Sequence, residues 1–157
     1  MVFSQVLPSL TMKKLWDISP PVDASSPVFP GDTPYTQQWA ATLSETCPVN
    51  VSAITLSPHV GAHADAPLHY DAQGAAVGVL DLSPFLGHCR VIHALAAGPL
   101  VTIAHLQHAL ADVPPRVLVR TCPQFPLTQF DPQLSAFHPD TVQHLADLGV
   151  QLIGIVS

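Results

Sequence analysis

Three histidines and one aspartate fall within the eleven residues His59-Val60-Gly61-Ala62-His63-Ala64-Asp65-Ala66-Pro67-Leu68-His69. Only 10% of the chain is charged, so this is its densest run of ligand-type side chains. Imidazole nitrogen and carboxylate oxygen suit zinc or another first-row divalent metal. On a helix His59 and His63, four apart, would share a face. Gly61 between them and Pro67 beyond them argue against a helix, and the run Val49 to Leu56 reads as a strand, which places His59 at the strand's end and the rest of the motif on the loop after it. Gly61 permits a sharp bend. His63 and Asp65, two apart in an extended segment, point the same way, and the bend returns His59 toward them. Pro67 keeps Ala66 extended and leaves His69 further along the rim. On spacing alone, Asp65 is either a ligand or a carboxylate that orients an imidazole from behind. His69 is either a fourth ligand or a free acid–base group.

Elements must hold this loop in place. Lys14 to Ile18, Tyr35 to Trp39, Val49 to Leu56, Cys89 to Leu95, Arg116 to Arg120 and Val150 to Val156 read as strands. Glu45 to Pro48 is a turn, and Trp39 is assigned to the core or a barrel wall. His93, inside an apolar run, reads as a hydrogen-bonded core histidine. Thr102 is a helix N-cap, with Ile103, Leu106 and Leu110 on one face and His105 and His108 in solvent. Pro139 opens a second helix with Val142, Leu145 and Leu148 inward and Gly149 as its stop. Residues 123 to 137 read as a loop containing proline and phenylalanine. Pro20 to Pro34, with five prolines, is also loop and presents Phe29 at a rim. The sum is a mixed α/β or α+β chain without internal repeat.

Composition narrows the function. The chain has 157 residues, 48% hydrophobic, with a formal charge of −6. Five basic residues make no nucleic-acid footprint. No apolar run reaches the roughly eighteen residues of a membrane span, and no signal peptide opens the chain. Cys47, Cys89 and Cys122 form no C-x-x-C pair. They read as buried free thiols of a reducing, cytoplasmic protein. No G-x-S-x-G, H-E-x-x-H, G-x-G-x-x-G or P-loop occurs.

The pattern H-x-G-x-H-x-D-x-P-x-H resembles the metal-binding signature of the metal-dependent cyclase-like hydrolases. Leu15-Trp16-Asp17-Ile18-Ser19, Pro30-Gly31-Asp32-Thr33-Pro34, Pro48 through Tyr70, Arg90-Val91-Ile92-His93 and Leu152-Ile153-Gly154-Ile155 extend the resemblance to the bacterial kynurenine formamidases within that family. It runs from Met12 to Ile155. The resemblance implies a β-rich core with flanking helices, a metal site in an inner cavity and a homodimer. It implies two zinc ions per subunit and hydrolysis of N-formylkynurenine to kynurenine and formate. His59, His63 and Asp65 are then metal ligands, His69 the acid–base group and Phe29 a contact for the substrate ring. Phe29 stands where the family usually has tryptophan. The family also continues beyond this chain with a further histidine and glutamate ligand. Residues 1–11 are accordingly expected to be a flexible extension and 12–157 a single, C-terminally truncated domain. That domain is expected to hold at most one zinc, to be poorly soluble and to turn over little by itself. Two alternatives accompany this reading: a metal-binding remnant without turnover, and a hydrolase of cyclic amides.

Overall fold

Strand β5 (Arg116–Arg120) explains most of the architecture. Its sequence Arg-Val-Leu-Val-Arg alternates, and burial follows: Val117 and Val119 are fully buried, while Arg116, Leu118 and Arg120 are half-buried. Side chains two apart share one face of a sheet, so the two valines anchor the core. In this computed structural model, which describes residues 14–156, β5 is the centre of a parallel three-stranded sheet ordered β3-β5-β7, with β3 at Arg90–His93 and β7 at Leu152–Val156. Parallel neighbours need crossover connections. The first carries helix α1 (Ile103–Leu106) and a 3-10 turn over Gln107–Ala109, and the second carries α2 (Pro139–Asp147). Two-residue strands β4 (Leu100–Val101) and β6 (Ala136–Phe137) pair in parallel beside this unit. Strands β1 (Thr36–Ala41) and β2 (Val51–Thr55) form a separate antiparallel hairpin whose register shifts between Trp39 and Ala41.

The core gathers Ile92 from β3, Val101 from β4, Leu106 from α1, Val117 and Val119 from β5 and Leu145 from α2. Full burial of such a side chain contributes roughly 1.5–3 kcal/mol. Helix α2 is well specified at both ends. Pro139 needs no amide partner in the first turn, and His138 Nδ1 accepts from the Asp140 amide at 3.2 Å. Gly149, at φ 86°, closes the helix in a conformation costly for other residues. The buried Thr141 hydroxyl donates to the Val101 carbonyl at 3.1 Å and fastens α2 to β4.

The mixed α/β reading, the hairpin, β5, β7 and α2 agree with the sequence expectations. Several details do not. Lys14 to Ile18 forms no strand; Leu15, Trp16 and Ile18 are exposed, and the Lys14 ammonium lies 3.7 Å from the Trp16 ring centroid. Trp39 is 59% exposed, not core, because among the described residues β1 and β2 pair only with each other. His93 is exposed, since β3 is an edge strand that buries only Ile92. His105 is not a solvated residue: its Nδ1 accepts from the Thr102 amide at 3.0 Å and caps α1. That helix gives way to a 3-10 turn at Gln107 instead of continuing to Ala111. In α2 the inward pair is Thr141 and Leu145, four apart, while Val142 and Leu148 stay exposed. The three cysteines are free, but Cys89 is exposed and Cys47 and Cys122 are only half-buried. The expected extension at 1–11 lies outside the described residues. No helix of the described residues is long and apolar enough to cross a membrane.

Candidate metal centre

The site begins where β2 ends. Ser57 is buried, and its amide donates to the Thr33 carbonyl at 3.1 Å. Its hydroxyl accepts from the His59 amide at 3.2 Å, and its carbonyl accepts from the Val60 amide at 3.2 Å. The chain therefore turns before His59, which lies four residues beyond the last residue of β2 and not in the strand. Val60 is buried. Gly61 sits at φ 71°, and a Cβ there would lie 2.7 Å from the Val22 side chain. Both the conformation and the close approach require glycine.

This bend sets the histidines. His63 Nδ1 lies 2.9 Å from the Gly61 carbonyl oxygen. With the proton on Nδ1 donated to that carbonyl, the lone pair of Nε2 faces the cluster. His63 Nε2 is 3.3 Å from His59 Nδ1 and 3.5 Å from Asp65 Oδ1, and His59 Nδ1 is 2.9 Å from Asp65 Oδ1. Three ligand-type atoms thus converge on one point. One proton on His59 Nδ1 can serve only one of its two neighbours, whereas a cation between the three would satisfy all of them. A tetrahedral shell with bonds of about 2.0–2.1 Å has edges of about 3.3 Å. The three distances bracket that edge, so the donor set fits a small divalent metal. The side chains of His59 and Asp65 are each 32% exposed and that of His63 33%, open enough for a water or substrate to reach the centre.

Pro67–His69 forms a 3-10 turn, entered from an extended Ala66 and closed by the Tyr70 amide on the Pro67 carbonyl. The turn carries the His69 ring back to 4.2 Å from that of His59, centroid to centroid, not onward along the rim. His59, Asp65 and His69 also offer ligand atoms that all lie within 4.8 Å of one another. A second glycine supports this segment: a Cβ on Gly74 would lie 2.5 Å from the Pro67 carbonyl carbon. The Asp71–Gly74 turn is packed directly against the backbone that carries His69.

Several contributors were not singled out from sequence. The Tyr70 hydroxyl donates to Asp65 Oδ2 at 3.4 Å, leaving Oδ1 to the two histidines. Desolvation first, then the Asp65 charge and hydrogen bond, hold the Tyr70 hydroxyl above its ordinary pKa. Asp32 lies in the loop that presents Phe29. The Ser57 hydroxyl, then the Thr33 amide at 2.6 Å, hold its carboxyl below the usual value. A cavity of about 890 Å³ is lined by His59, His63, Asp65 and His69, by Phe29, and by Phe125, Phe130 and Leu134. The ring of Phe29 meets that of Phe130 edge to face at 5.4 Å. Neither Phe125 nor Phe130 carries a local signal, because they lie some sixty residues from the histidines and join them only through the fold.

A family model described as "Putative cyclase" matches residues 16–155. A kynurenine formamidase of Delftia acidovorans is 66% identical over 143 residues, covering 91% of this chain and 68% of that protein. Kynurenine formamidases of Paracidovorax citrulli and Bordetella pertussis are each 62% identical, covering 92% of this chain and 69% of theirs. The chain thus spans a little over two thirds of their length. Among solved structures, one described as a potential metal-dependent hydrolase with cyclase activity aligns with a TM-score of 0.67 at 23% identity, over 90% of this chain and 67% of that one. A Bacillus stearothermophilus protein described as a predicted metal-dependent hydrolase gives a TM-score of 0.67 at 21% identity, over 90% of this chain and 68% of its own, and agrees in fold. The chain belongs to the cyclase-like hydrolase family, as a close homologue of bacterial kynurenine formamidases.

Proposed function

We propose that this chain carries the metal-dependent amide hydrolase site of a kynurenine formamidase, converting N-formylkynurenine and water to kynurenine and formate. The observation that carries the reading is the convergence of His59 Nδ1, His63 Nε2 and Asp65 Oδ1 at 2.9–3.5 Å, with His69 beside them in a cavity walled by aromatic rings. The close kynurenine formamidase homologues support the choice of substrate. When bound, a divalent metal supplies Lewis acidity, which makes a nucleophile of water near neutral pH. Its three ligands on this reading are His59, His63 and Asp65. The Gly61 carbonyl keeps the His63 ring oriented, and the Tyr70 hydroxyl turns one Asp65 oxygen away from the histidines. His69 takes the proton of the attacking water and passes it to the amide nitrogen as the carbon–nitrogen bond breaks. An arylamine leaves more readily when protonated, so one imidazole serves first as base and then as acid. Phe29 lies against the aromatic ring of the substrate.

The same reading takes zinc as the metal, which these donors suit, and residues 12–157 as one cyclase-like domain. It takes a homodimer as the assembled form, in line with the exposed Trp39, Val51 and Ile54 of the hairpin. It takes the cytoplasm as the compartment, in line with three unpaired cysteines, and no nucleic-acid partner, in line with a charge of −6. The test is release of kynurenine from N-formylkynurenine by zinc-loaded protein, with His69→Ala alongside. The chain is assayed alone and with the C-terminal segment of the Delftia acidovorans relative appended. Turnover should fall by roughly a hundredfold or more in His69→Ala while zinc stays bound. Loss of zinc together with turnover would make His69 a ligand instead.

A further inference from the structure

The part of the cavity lining that carries Phe125 and Phe130 belongs to a long loop, residues 121–135, that connects β5 to β6. Both of its ends are fixed. At the start, the Arg120 guanidinium donates to the Cys122 carbonyl at 2.9 Å and to the Pro123 carbonyl, and the Thr121 hydroxyl donates to the Val156 carbonyl at 2.8 Å. At the finish, the buried Ser135 hydroxyl donates to the Gly98 carbonyl at 2.6 Å. Beside Phe130, Asp131 Oδ1 accepts from the Gln133 amide at 2.8 Å and tightens the chain locally. A loop tied this way delivers Phe130 to a defined place.

That place is functional in character. Phe130 is half-buried yet is not one of the buried core residues. Its ring packs on Phe29, edge to face, with centroids 5.4 Å apart and planes at 79°. Both rings line the cavity that holds His59, His63, Asp65 and His69. Two rings at a right angle form a corner. A third aromatic ring entering it meets the face of one and the edge of the other, which an aromatic quadrupole favours beyond the area it buries. A saturated ring of similar size gains the area alone.

The geometry points to Phe130 as a specificity-determining residue that, with Phe29, makes the site select N-aryl formamides over N-alkyl formamides. This deepens the formamidase reading and rests on it. The reaction served is the same hydrolysis: water adds to the formyl carbon, the carbon–nitrogen bond breaks, and formate and an arylamine leave. Phe130 touches neither water nor proton in this scheme; it decides which amide stays in the cavity.

The test uses zinc-loaded protein, as the 157-residue chain alone and with the C-terminal segment of the Delftia acidovorans relative appended, and two probes of similar size, formanilide and N-cyclohexylformamide. Ligand-observed NMR gives the dissociation constant of each, and the formate singlet in the same sample reports hydrolysis. The wild type should bind formanilide more tightly. Phe130→Leu, which stays apolar but lacks the ring, should weaken formanilide roughly two- to tenfold and leave N-cyclohexylformamide nearly unchanged. Phe130→Tyr keeps a ring and should bind as the wild type does, which separates loss of the ring from damage to the loop. Equal weakening of both probes, no weakening of either, or no formanilide binding by the wild type would overturn the inference. Ring-dependent binding with no formate in any sample would remove the hydrolytic reading and leave the aryl site standing. Formate release without ring dependence would do the reverse.

Discussion

His63→Ala removes one corner of the donor triangle. His63 Nε2 lies 3.3 Å from His59 Nδ1 and 3.5 Å from Asp65 Oδ1, the spacing of ligands about 2.0–2.1 Å from a shared ion. Without it two protein donors remain. Loss of a group that merely orients a ligand already weakens metal binding by about 10–100-fold, so loss of a ligand should cost at least the upper figure, about 2.7 kcal/mol. The fold should persist, because the His63 side chain is 33% exposed and lies outside the buried core. The assay is zinc affinity by competition with a chromophoric chelator, with elemental analysis of the purified protein and thermal unfolding as the control for folding. His69→Ala is the companion, expected to keep zinc. Unchanged zinc affinity in His63→Ala with loss in His69→Ala would refute this ligand assignment. That would make His59, Asp65 and His69, whose ligand atoms also lie within 4.8 Å of one another, the true ligand set.

Further expectations concern neighbouring parts. Phe29→Ala should raise the Michaelis constant for N-formylkynurenine more than it lowers turnover; an unchanged Michaelis constant would reduce Phe29 to loop packing. Asp32 should titrate below 3.8 because the Ser57 hydroxyl and Thr33 amide favour its charged form. A carboxyl with a lowered folded pKa contributes stability above its unfolded value and loses it as pH falls through the folded one. Carbon-detected NMR should therefore place the Asp32 midpoint under 3.8 and find it moved upward in Ser57→Ala; identical midpoints would deny the Ser57 contact. Leu145→Ala, at a fully buried position where α2 meets the core, should lower unfolding free energy by about 2–5 kcal/mol in urea titrations. A change below about 1 kcal/mol would contradict that packing.

What the sequence could reveal follows from the range of the forces involved. The donor cluster was readable because Gly61 and Pro67 constrain the backbone within the motif itself. Helix α2 was readable at its ends for the same reason, since Pro139 and Gly149 act locally. Strand β5 announced its buried face by alternation. The return of His69 toward His59 was not readable, because it depends on a 3-10 turn backed by the Asp71–Gly74 segment, and periodicity does not encode that. Trp39 was misplaced because hydrophobic character says that a side chain favours cover, not whether the described chain provides it. His105 was misplaced because an imidazole off the apolar stripe can still close a capping bond to Thr102. Phe130 was invisible as a site residue, because only the long loop after β5 carries it across to Phe29.

The most direct measurement follows kynurenine release from N-formylkynurenine while zinc is titrated into metal-free protein, in the chain alone and with the C-terminal segment of the Delftia acidovorans relative appended. Metal-free protein should show no turnover. Turnover should rise with zinc bound to the His59–His63–Asp65 cluster in at least one of the two forms and disappear again on chelation. Turnover by metal-free protein, or none in either form at full zinc occupancy, would contradict a metal-dependent hydrolase.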